Sequence, residues 1–257
     1  MKLELKSGSL EYLDVGRGRT VLLIHAFPLN HCMWEPQLSV LSAEFRLLVP
    51  DIRGFGGSQP PSPWTMETIA DDLNGFLEKI DVPDCAFVGV SVGGYIALSF
   101  WSKYPGRVRK LVLANTRARA DTETEKAARN DMLAALEQRG TTILPDRMLP
   151  RLLKPNSPPA VVSRVRSMID EASAPAAIYA VMALRDRPDS STLLHRIHCP
   201  TMVICGEEDL LVHGDESRAM ADAIRGSRFV RIPKSGHLSN LENPDEFNRV
   251  VLDFLRQ

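Results

Sequence analysis

Ala86-Phe-Val-Gly-Val-Ser-Val-Gly-Gly-Tyr-Ile-Ala-Leu-Ser-Phe-Trp101 is the stretch that decides the fold of this 257-residue chain. Residues 86–88 form a short apolar run that ends at a glycine, which predicts a buried strand. Residues 94–103 are apolar nearly all round and are followed by Pro105-Gly106, which predicts a buried helix and its end. The segment between them, Gly89-Val-Ser-Val-Gly93, is therefore a sharp turn from a strand into a helix.

Ser91 stands between the two glycines of this turn in the pattern G-x-S-x-G, which is typical of a serine nucleophile on a strand-to-helix elbow. Glycines allow the strand and helix backbones to pass close together. The N-terminus of the helix then directs backbone N–H groups toward an oxyanion formed on a substrate. The alternative is an ordinary turn whose serine caps the helix, but the strand before it and the helix after it favour the nucleophile.

The composition narrows the range of partners and compartments. Lys and Arg total 31, Asp and Glu total 32, and the formal net charge is −1, which does not favour nucleic acid or an anionic membrane as a partner. We see no signal peptide at the N-terminus and no apolar run long enough to cross a membrane. The four cysteines form no C-x-x-C pair, so we expect free thiols and a cytoplasmic protein.

Apolar strands alternate with amphipathic helices on both sides of the elbow. Besides the elbow strand, strands are predicted over residues 20–25, 45–50, 109–114, 200–205 and 229–232. Near-continuous apolar runs of this kind are typical of strands inside a parallel sheet. The alternation predicts an α/β fold with a doubly wound, mostly parallel sheet.

The pattern changes after Asn115. Residues 116–190 contain no β-prone run, and helical patches are predicted at about 122–139, 144–153, 159–171 and 174–185. We predict a helical cap over residues 116–190, inserted after the strand that ends near Ala114, and a core made of residues 1–115 and 191–257. An insertion at this point would cover the strand ends where Ser91 lies.

A serine nucleophile needs a general base, and the base needs an acid that orients it. Of the six histidines, only His237 lies on a short glycine-containing loop directly after a late core strand. Asp209 ends the turn after the preceding strand, and the order serine, acid, histidine is the one expected for this elbow. Glu207 or Glu208 as the acid, and His213 as the base, stay open as alternatives.

At this point the sequence resembles the α/β-hydrolase family over nearly its whole length. Within that superfamily it is similar to small bacterial carboxylesterases and to the 3-oxoadipate enol-lactonase-like group. The resemblance is carried by five motifs: His25-Ala-Phe-Pro28, Asp51-x-Arg-Gly-x-Gly-x-Ser58, Gly89-Val-Ser-Val-Gly-Gly94, Gly206-x-x-Asp209 and Gly236-His237.

The resemblance implies the α/β-hydrolase fold, with Ser91 as the nucleophile, His237 as the base and Asp209 as its partner. It also implies an oxyanion hole made by the backbone N–H groups of Phe27 and Val92. Some relatives place the acid at the position of Asn115, the residue that ends the strand before the insertion.

One departure from the family pattern concerns the oxyanion loop. The family has His-Gly where this chain has His25-Ala26. If that loop requires a positive φ, Ala26 is strained and the geometry at Phe27 is less secure.

We expect a serine hydrolase that cleaves small carboxylic esters or lactones through an acyl-enzyme on Ser91. A carbon–carbon bond hydrolase or a perhydrolase on the same triad stays open, as does a non-catalytic ligand receptor or signalling protein, because a fold does not fix a function. We find no metal-binding grouping of histidines and no nucleotide-binding glycine motif, so we expect no metal and no cofactor.

The expected partner is a small ester or lactone, and the sequence leaves the oligomeric state open. Apolar side chains under the cap are candidates for its pocket, although Met and aromatic residues also form ordinary core. These candidates are Trp34, Met148, Tyr179 and Met182.

Overall fold

A computed structural model describes residues 1–257, and its centre is an eight-stranded sheet. The strands follow the order β1-β2-β4-β3-β5-β6-β7-β8, in which β1 pairs antiparallel with β2, β2 pairs antiparallel with β4, and all other neighbours are parallel. The strands are β1 Lys2–Leu5, β2 Gly8–Val15, β3 Thr20–Ile24, β4 Arg46–Pro50, β5 Cys85–Val90, β6 Val108–Ala114, β7 Thr201–Gly206 and β8 Arg228–Ile232. The predicted α/β fold with a mostly parallel sheet is confirmed.

Ten α-helices connect and cover these strands. Helix α1 packs against α10, α2 packs against α3, and α3 lies on β5 and β6. The helices are α1 Glu35–Leu41, α2 Met66–Lys79, α3 Val92–Lys103, α4 Glu123–Arg139, α5 Leu144–Leu152, α6 Pro159–Asp170, α7 Ala174–Asp186, α8 Gly214–Ala223, α9 Ser239–Glu242 and α10 Pro244–Arg256. None of them has both the length and the apolar composition that crossing a membrane requires.

The strand order reverses beside β3. From β3 the chain moves outward to β4, and it then returns across β3 to form β5 on the other side. Ligands of open α/β sheets bind at such a reversal, in the crevice outside the carboxyl ends of the strands. The loop after β3 and the turn after β5 meet at this crevice, and Ser91 is the first residue of that turn.

Glycines make the turn between β5 and α3 possible. A Cβ atom on Gly89 would collide with the carbonyl group of Gly93, and a Cβ atom on Gly93 would collide with the carbonyl oxygen of Ile24. Every residue of β5 is buried, so the strand has no free side on which it could shift to make room. The two glycines therefore meet a packing requirement of this crossing.

Helices α4 to α7 occupy the chain between β6 and β7, in the segment that was predicted to be helical. Thr122 begins α4 with a capping box, in which its side chain accepts from the Glu125 N–H and the Glu125 side chain accepts from the Thr122 N–H. Ser173 caps α7 in a similar way by accepting from Ala176. These local signals fix the starts of the helices, while the division of the chain into a cap and a core stays a prediction.

Replacing Gly89 with alanine tests the elbow crossing. We expect Gly89→Ala to lower the free energy of unfolding by about 2 kcal/mol or more, because the added methyl group must displace backbone atoms of Gly93. Gly75→Ala is the matched control: Gly75 lies inside α2 with nothing within 4 Å of its added Cβ, so we expect a gain of about 0.5–1 kcal/mol. Urea denaturation of both variants measures the difference, and equal effects would contradict the interpretation.

Candidate active site

Ser91 occupies the bend between β5 and α3 with φ of 56°, a left-handed conformation that a non-glycine residue seldom adopts. Neighbouring backbone holds it there. The Ser91 N–H donates to the Ala114 carbonyl at 2.9 Å, and the Thr116 hydroxyl donates to the Ser91 carbonyl at 2.8 Å. The end of β6 therefore supports the strained residue, and the Ser91 side chain is left partly exposed.

The structure brings Ser91, His237 and Asp209 together from three different loops. The His237 Nε2 atom lies 2.8 Å from Ser91 Oγ, and His237 Nδ1 lies 2.9 Å from Asp209 Oδ2. A neutral imidazole protonated at Nδ1 satisfies both contacts, since it donates to the carboxylate and accepts from the serine hydroxyl. This is the geometry of a nucleophile, a base and an orienting acid.

Asp209 is buried, and both oxygens of its carboxylate accept hydrogen bonds. Its Oδ1 atom accepts from the backbone N–H groups of Leu211 at 2.8 Å and Val212 at 3.0 Å. Burial opposes ionisation, but His237, Asn115 and the Val212 N–H outweigh it and hold the pKa of Asp209 below its usual value. Asp209 therefore stays charged beside the imidazole.

Asn115 joins the acid to the histidine loop. Its Nδ2 atom donates to Asp209 Oδ2 at 3.0 Å and to the Gly236 carbonyl at 3.2 Å, while its Oδ1 accepts from the Ser239 hydroxyl at 2.6 Å. The residue is buried, with φ of 49°. In this chain the position that some relatives use for the acid thus holds an amide that orients Asp209.

The alternatives for the acid and the base take no part in the contacts between Ser91, His237 and Asp209. Glu207 and Glu208 are exposed, and neither contacts His237. His213 is also exposed and lines the cavity described below, but it makes no hydrogen bond with Ser91. The geometry therefore places Asp209 and His237, and not these residues, in line with the serine.

The two backbone N–H groups expected to form the oxyanion hole belong to the loop after β3 and to the start of α3. The Phe27 N–H makes no hydrogen bond within the chain. Val92 is the first residue of α3, where backbone N–H groups lack partners inside the helix. Ala26 does not have a positive φ. The backbone strain that a positive φ would cause at this alanine is therefore absent.

Asp51 connects the oxyanion loop to the glycine-rich turn after β4. Its carboxylate accepts from the His31 N–H at 2.7 Å and from the Gly57 N–H at 3.0 Å, and it lies 2.9 Å from His31 Nδ1. His25 provides a second connection, because its Nε2 accepts from the Ile52 N–H at 2.8 Å. The polar side chains of Asp51 and His25 thus have structural partners within these two loops.

A cavity of about 380 Å³ opens above Ser91 and His237. Its walls come from the strand-end loops and from α3, α4, α5, α7 and α8. The apolar part of the wall consists mainly of Phe27, Met132, Met148, Leu152, Val181, Leu184 and Leu211, and the polar part of Tyr95, Arg117, Arg119, Glu125, Arg129, Arg151, His213 and Glu216.

Of the four candidate pocket residues, Met148 lines this cavity, whereas Trp34, Tyr179 and Met182 lie outside its lining. Trp34 is fully buried against Phe247, where helix α10 covers it. Met182 points outward from α7 and is 38% exposed, and Tyr179 lies on the same helix outside the cavity lining. The residues that α7 contributes are Val181 and Leu184, one and two positions away from Met182 on the inward side of the helix.

Glu242 is a positioning residue that the sequence analysis did not single out. Its carboxylate accepts from the Gly236 N–H at 2.7 Å and from the Lys154 N–H at 2.9 Å. The Leu238 N–H donates to the Leu152 carbonyl at 3.1 Å in the same region. These bonds fasten the end of α5 to the loop that carries His237.

No cluster of three His, Cys, Asp or Glu side chains in the chain has the arrangement that holds a metal ion. All four cysteines are free.

The pairing of His31 with Asp51 predicts a pH dependence of stability. The hydrogen bond with Asp51 raises the pKa of His31 although burial opposes it. Protonated His31 is therefore favoured in the folded state, so its contribution to stability is complete below an unfolded pKa of about 6.5 and is lost as the pH rises through the folded pKa.

We expect the stability difference between wild type and His31→Gln to be largest near pH 5.5 and to shrink as the pH rises to 8.5, when urea denaturation is followed across this range. In an Asp51→Asn background the same substitution should show no such decrease, because the partner that raises the pKa is gone. A difference that stays constant or grows with pH would contradict the assignment.

The chain is similar to proteins of known family and structure. Residues 19–244 match the family described as the alpha/beta hydrolase fold. A thermophilic esterase from Thermogutta terrifontis, solved with malate bound, is 37% identical and superposes with a TM-score of 0.95 over 100% of this chain and 97% of that one. The enol-lactonase from Burkholderia xenovorans LB400 is 26% identical, with a TM-score of 0.93 over 100% of both chains.

An enol-lactonase is also found among the relatives identified by sequence. The chain is 25% identical to 3-oxoadipate enol-lactonase 2 of Acinetobacter baylyi over 95% of this chain and 91% of the relative. Esterases and enol-lactonases are thus among the proteins that it resembles in both sequence and structure. Because the family match spans most of its length, the chain belongs to the alpha/beta hydrolase fold family.

Proposed function

We propose that the protein is a serine hydrolase that cleaves small carboxylic esters or lactones through an acyl-enzyme on Ser91. The observation that carries the proposal is the continuous chain of contacts from Ser91 Oγ to His237 Nε2, and from His237 Nδ1 to Asp209. The esterase and enol-lactonase activities named for the relatives support the choice of substrate class.

In the first half of the reaction, Ser91 Oγ attacks the carbonyl carbon of the ester while His237 Nε2 takes the hydroxyl proton. The negative charge that develops on the carbonyl oxygen is held by the N–H groups of Phe27 and Val92. When the tetrahedral intermediate collapses, His237 returns the proton to the departing alkoxide. The alcohol leaves, or, in a lactone, the ring opens and the hydroxyl stays on the acyl chain.

In the second half, a water molecule attacks the acyl-enzyme with His237 again as the base. The same two N–H groups hold the second oxyanion, and the proton on His237 passes to Ser91 Oγ as the carboxylic acid is released. Asp209 keeps one tautomer of the imidazole in place and stabilises its charged form during both halves.

We also propose that residues 116–190 act as a cap over the core made of residues 1–115 and 191–257. Side chains from α4, α5 and α7 supply much of the cavity wall above Ser91. Met148, Val181 and Leu184 would limit the size of the acyl or alcohol group that the site accepts.

The partner of this site is a small ester or lactone, and no cofactor takes part in the proposed steps. We place the protein in the cytoplasm, because four unpaired cysteines suit a reducing compartment.

Substitution of the nucleophile and the base tests the proposal directly. Ser91→Ala and His237→Ala should each lower kcat for an activated aryl ester by roughly 10⁴ to 10⁶, the range found when triad members are removed. A fluorophosphonate should label wild type at Ser91 and fail to label Ser91→Ala. Ser167→Ala and His195→Ala change exposed residues outside the cavity and serve as matched controls. Turnover by Ser91→Ala at the wild-type rate would refute the mechanism.

Replacing Asp209 with asparagine tests whether its carboxylate orients the imidazole of His237, because the amide keeps nearly the same size and shape. Asp209→Asn should fold normally but lower kcat by about 10⁴, because the amide can favour the wrong imidazole tautomer. Steady-state kinetics and a thermal melt of the same preparation measure the two effects. If Asp209→Asn were nearly fully active while Asn115→Ala or Glu208→Gln were inactive, the acid would have to be reassigned.

A further inference from the structure

The polar wall of the cavity contains more positive than negative groups. Five guanidinium groups, those of Arg117, Arg119, Arg129, Arg151 and Arg187, stand close to three carboxylates, those of Asp121, Glu125 and Glu216. Four of the arginines line the cavity itself, and Arg187 lies directly behind it over the ring of Tyr95. An excess of positive charge remains after every carboxylate has been paired.

Two of the arginines form ion pairs with two glutamates, so that their charges balance. Glu125 binds Arg117 at 2.7 Å and Arg119 at 2.6 Å. Glu216 binds Arg119 at 2.5 Å and lies 3.6 Å from Arg117. The pKa of Glu125 is held well below its usual value, first by the hydrogen bond from Arg119, so this carboxylate stays charged. This closed network has no spare positive charge for a ligand.

Asp121 is shared between two further arginines. It is buried, with Arg129 Nε at 3.1 Å on one side and Arg187 Nη1 at 2.7 Å on the other. One carboxylate therefore balances only one of the two guanidinium charges. Arg129 is the member of this pair that faces the cavity.

Arg151 is the cavity arginine without a partner. No carboxylate lies within 4 Å of its guanidinium, and it donates no hydrogen bond to the chain. Arg151 is an exposed residue overall, but partial burial of its guanidinium lowers its pKa, and repulsion from Arg129 and Arg117 lowers it further. An arginine remains protonated even so, and the approach of an anion would relieve both costs.

The backbone of Arg151 is fixed beside the catalytic histidine. It lies in the last turn of α5, and the next residue, Leu152, accepts a hydrogen bond from Leu238 at 3.1 Å. Leu238 directly follows His237 in the chain. The Arg151 side chain therefore starts from a backbone segment that is hydrogen-bonded to the loop of His237, and it lines the same cavity as Ser91.

We propose that Arg151 binds a free carboxylate on the substrate, so that the preferred substrates are esters carrying a negative charge, such as half-esters of short dicarboxylic acids. A guanidinium offers two parallel N–H donors that match a carboxylate. The inference rests on the proposed function for the reacting ester group, and it adds a second recognition point across the cavity.

A matched pair of substrates tests the proposal. The 4-nitrophenyl half-ester of glutaric acid carries the carboxylate, and 4-nitrophenyl valerate has the same acyl length without it. We expect wild type to prefer the half-ester in kcat/KM by about tenfold or more, the contribution of one hydrogen bond to a charged group. In Arg151→Ala that preference should fall close to one, mainly through KM, and Arg151→Lys should retain part of it.

Arg147→Ala is the control. Arg147 lies one turn earlier in α5, is exposed, has no ion pair and does not line the cavity, so the preference for the half-ester should stay at the wild-type value. Raising the salt concentration should weaken the preference in wild type and have little effect in Arg151→Ala. An equal loss on both esters in Arg151→Ala, or no loss on either, would overturn the carboxylate site while leaving the esterase proposal intact.

A binding experiment without turnover distinguishes the carboxylate site at Arg151 from the proposed esterase activity. Glutarate should raise the melting temperature of wild type but not of Arg151→Ala, and glutaramide, an uncharged analogue of the same length without an ester bond, should raise neither. If wild type hydrolysed neither ester while glutarate still stabilised it through Arg151, the proposed function would fail and the carboxylate site would stand. The absence of any effect of glutarate on wild type would count against the site.

Discussion

The close approach of β5, α3 and β3 at the glycine-lined elbow is the constraint on which the rest of the site depends. Gly89 and Gly93 allow backbone to lie against backbone, and this crossing forces Ser91 into a left-handed conformation. The strain persists because β6 supports it, through the hydrogen bonds of Ala114 and Thr116 to the Ser91 backbone. A residue that violates local conformational preference is thus held by packing at the place where its hydroxyl must project.

Around this fixed point, each polar partner is positioned by a different strand end. Asp209 follows β7, the loop of His237 follows β8, and Asn115 directly follows β6. Because these strands are parallel, their carboxyl ends lie at one edge of the sheet, and residues far apart in the chain meet there. The charge of Asp209 can remain buried since hydrogen bonds and the neighbouring imidazole compensate for lost hydration.

The sequence predicted best those features whose physical cause is local. The alternation of strands and helices and the G-x-S-x-G turn depend on neighbouring residues, and the helices at 123–186 agree with patterns of capping residues and prolines. The role of Glu242 depends on a meeting of α5 with the His237 loop, which no local pattern encodes. Trp34 lies in the core against Phe247 of α10, because its residue type suits a pocket and a core equally and the sequence does not reveal the position of α10.

The hydrogen bonds around Glu242 link one wall of the cavity, the end of α5, to the loop that carries His237. The carboxylate holds Gly236 and Lys154, and Leu238 holds Leu152, so the end of α5 and the loop of the base form one unit. A movement of α5 that shifted its end would break these bonds and disturb the contact of His237 with Ser91. An anion bound at Arg151 would therefore act on the same unit that carries the base, and the distance between the recognition point and the reacting carbonyl would be set by the fold and not by a flexible loop.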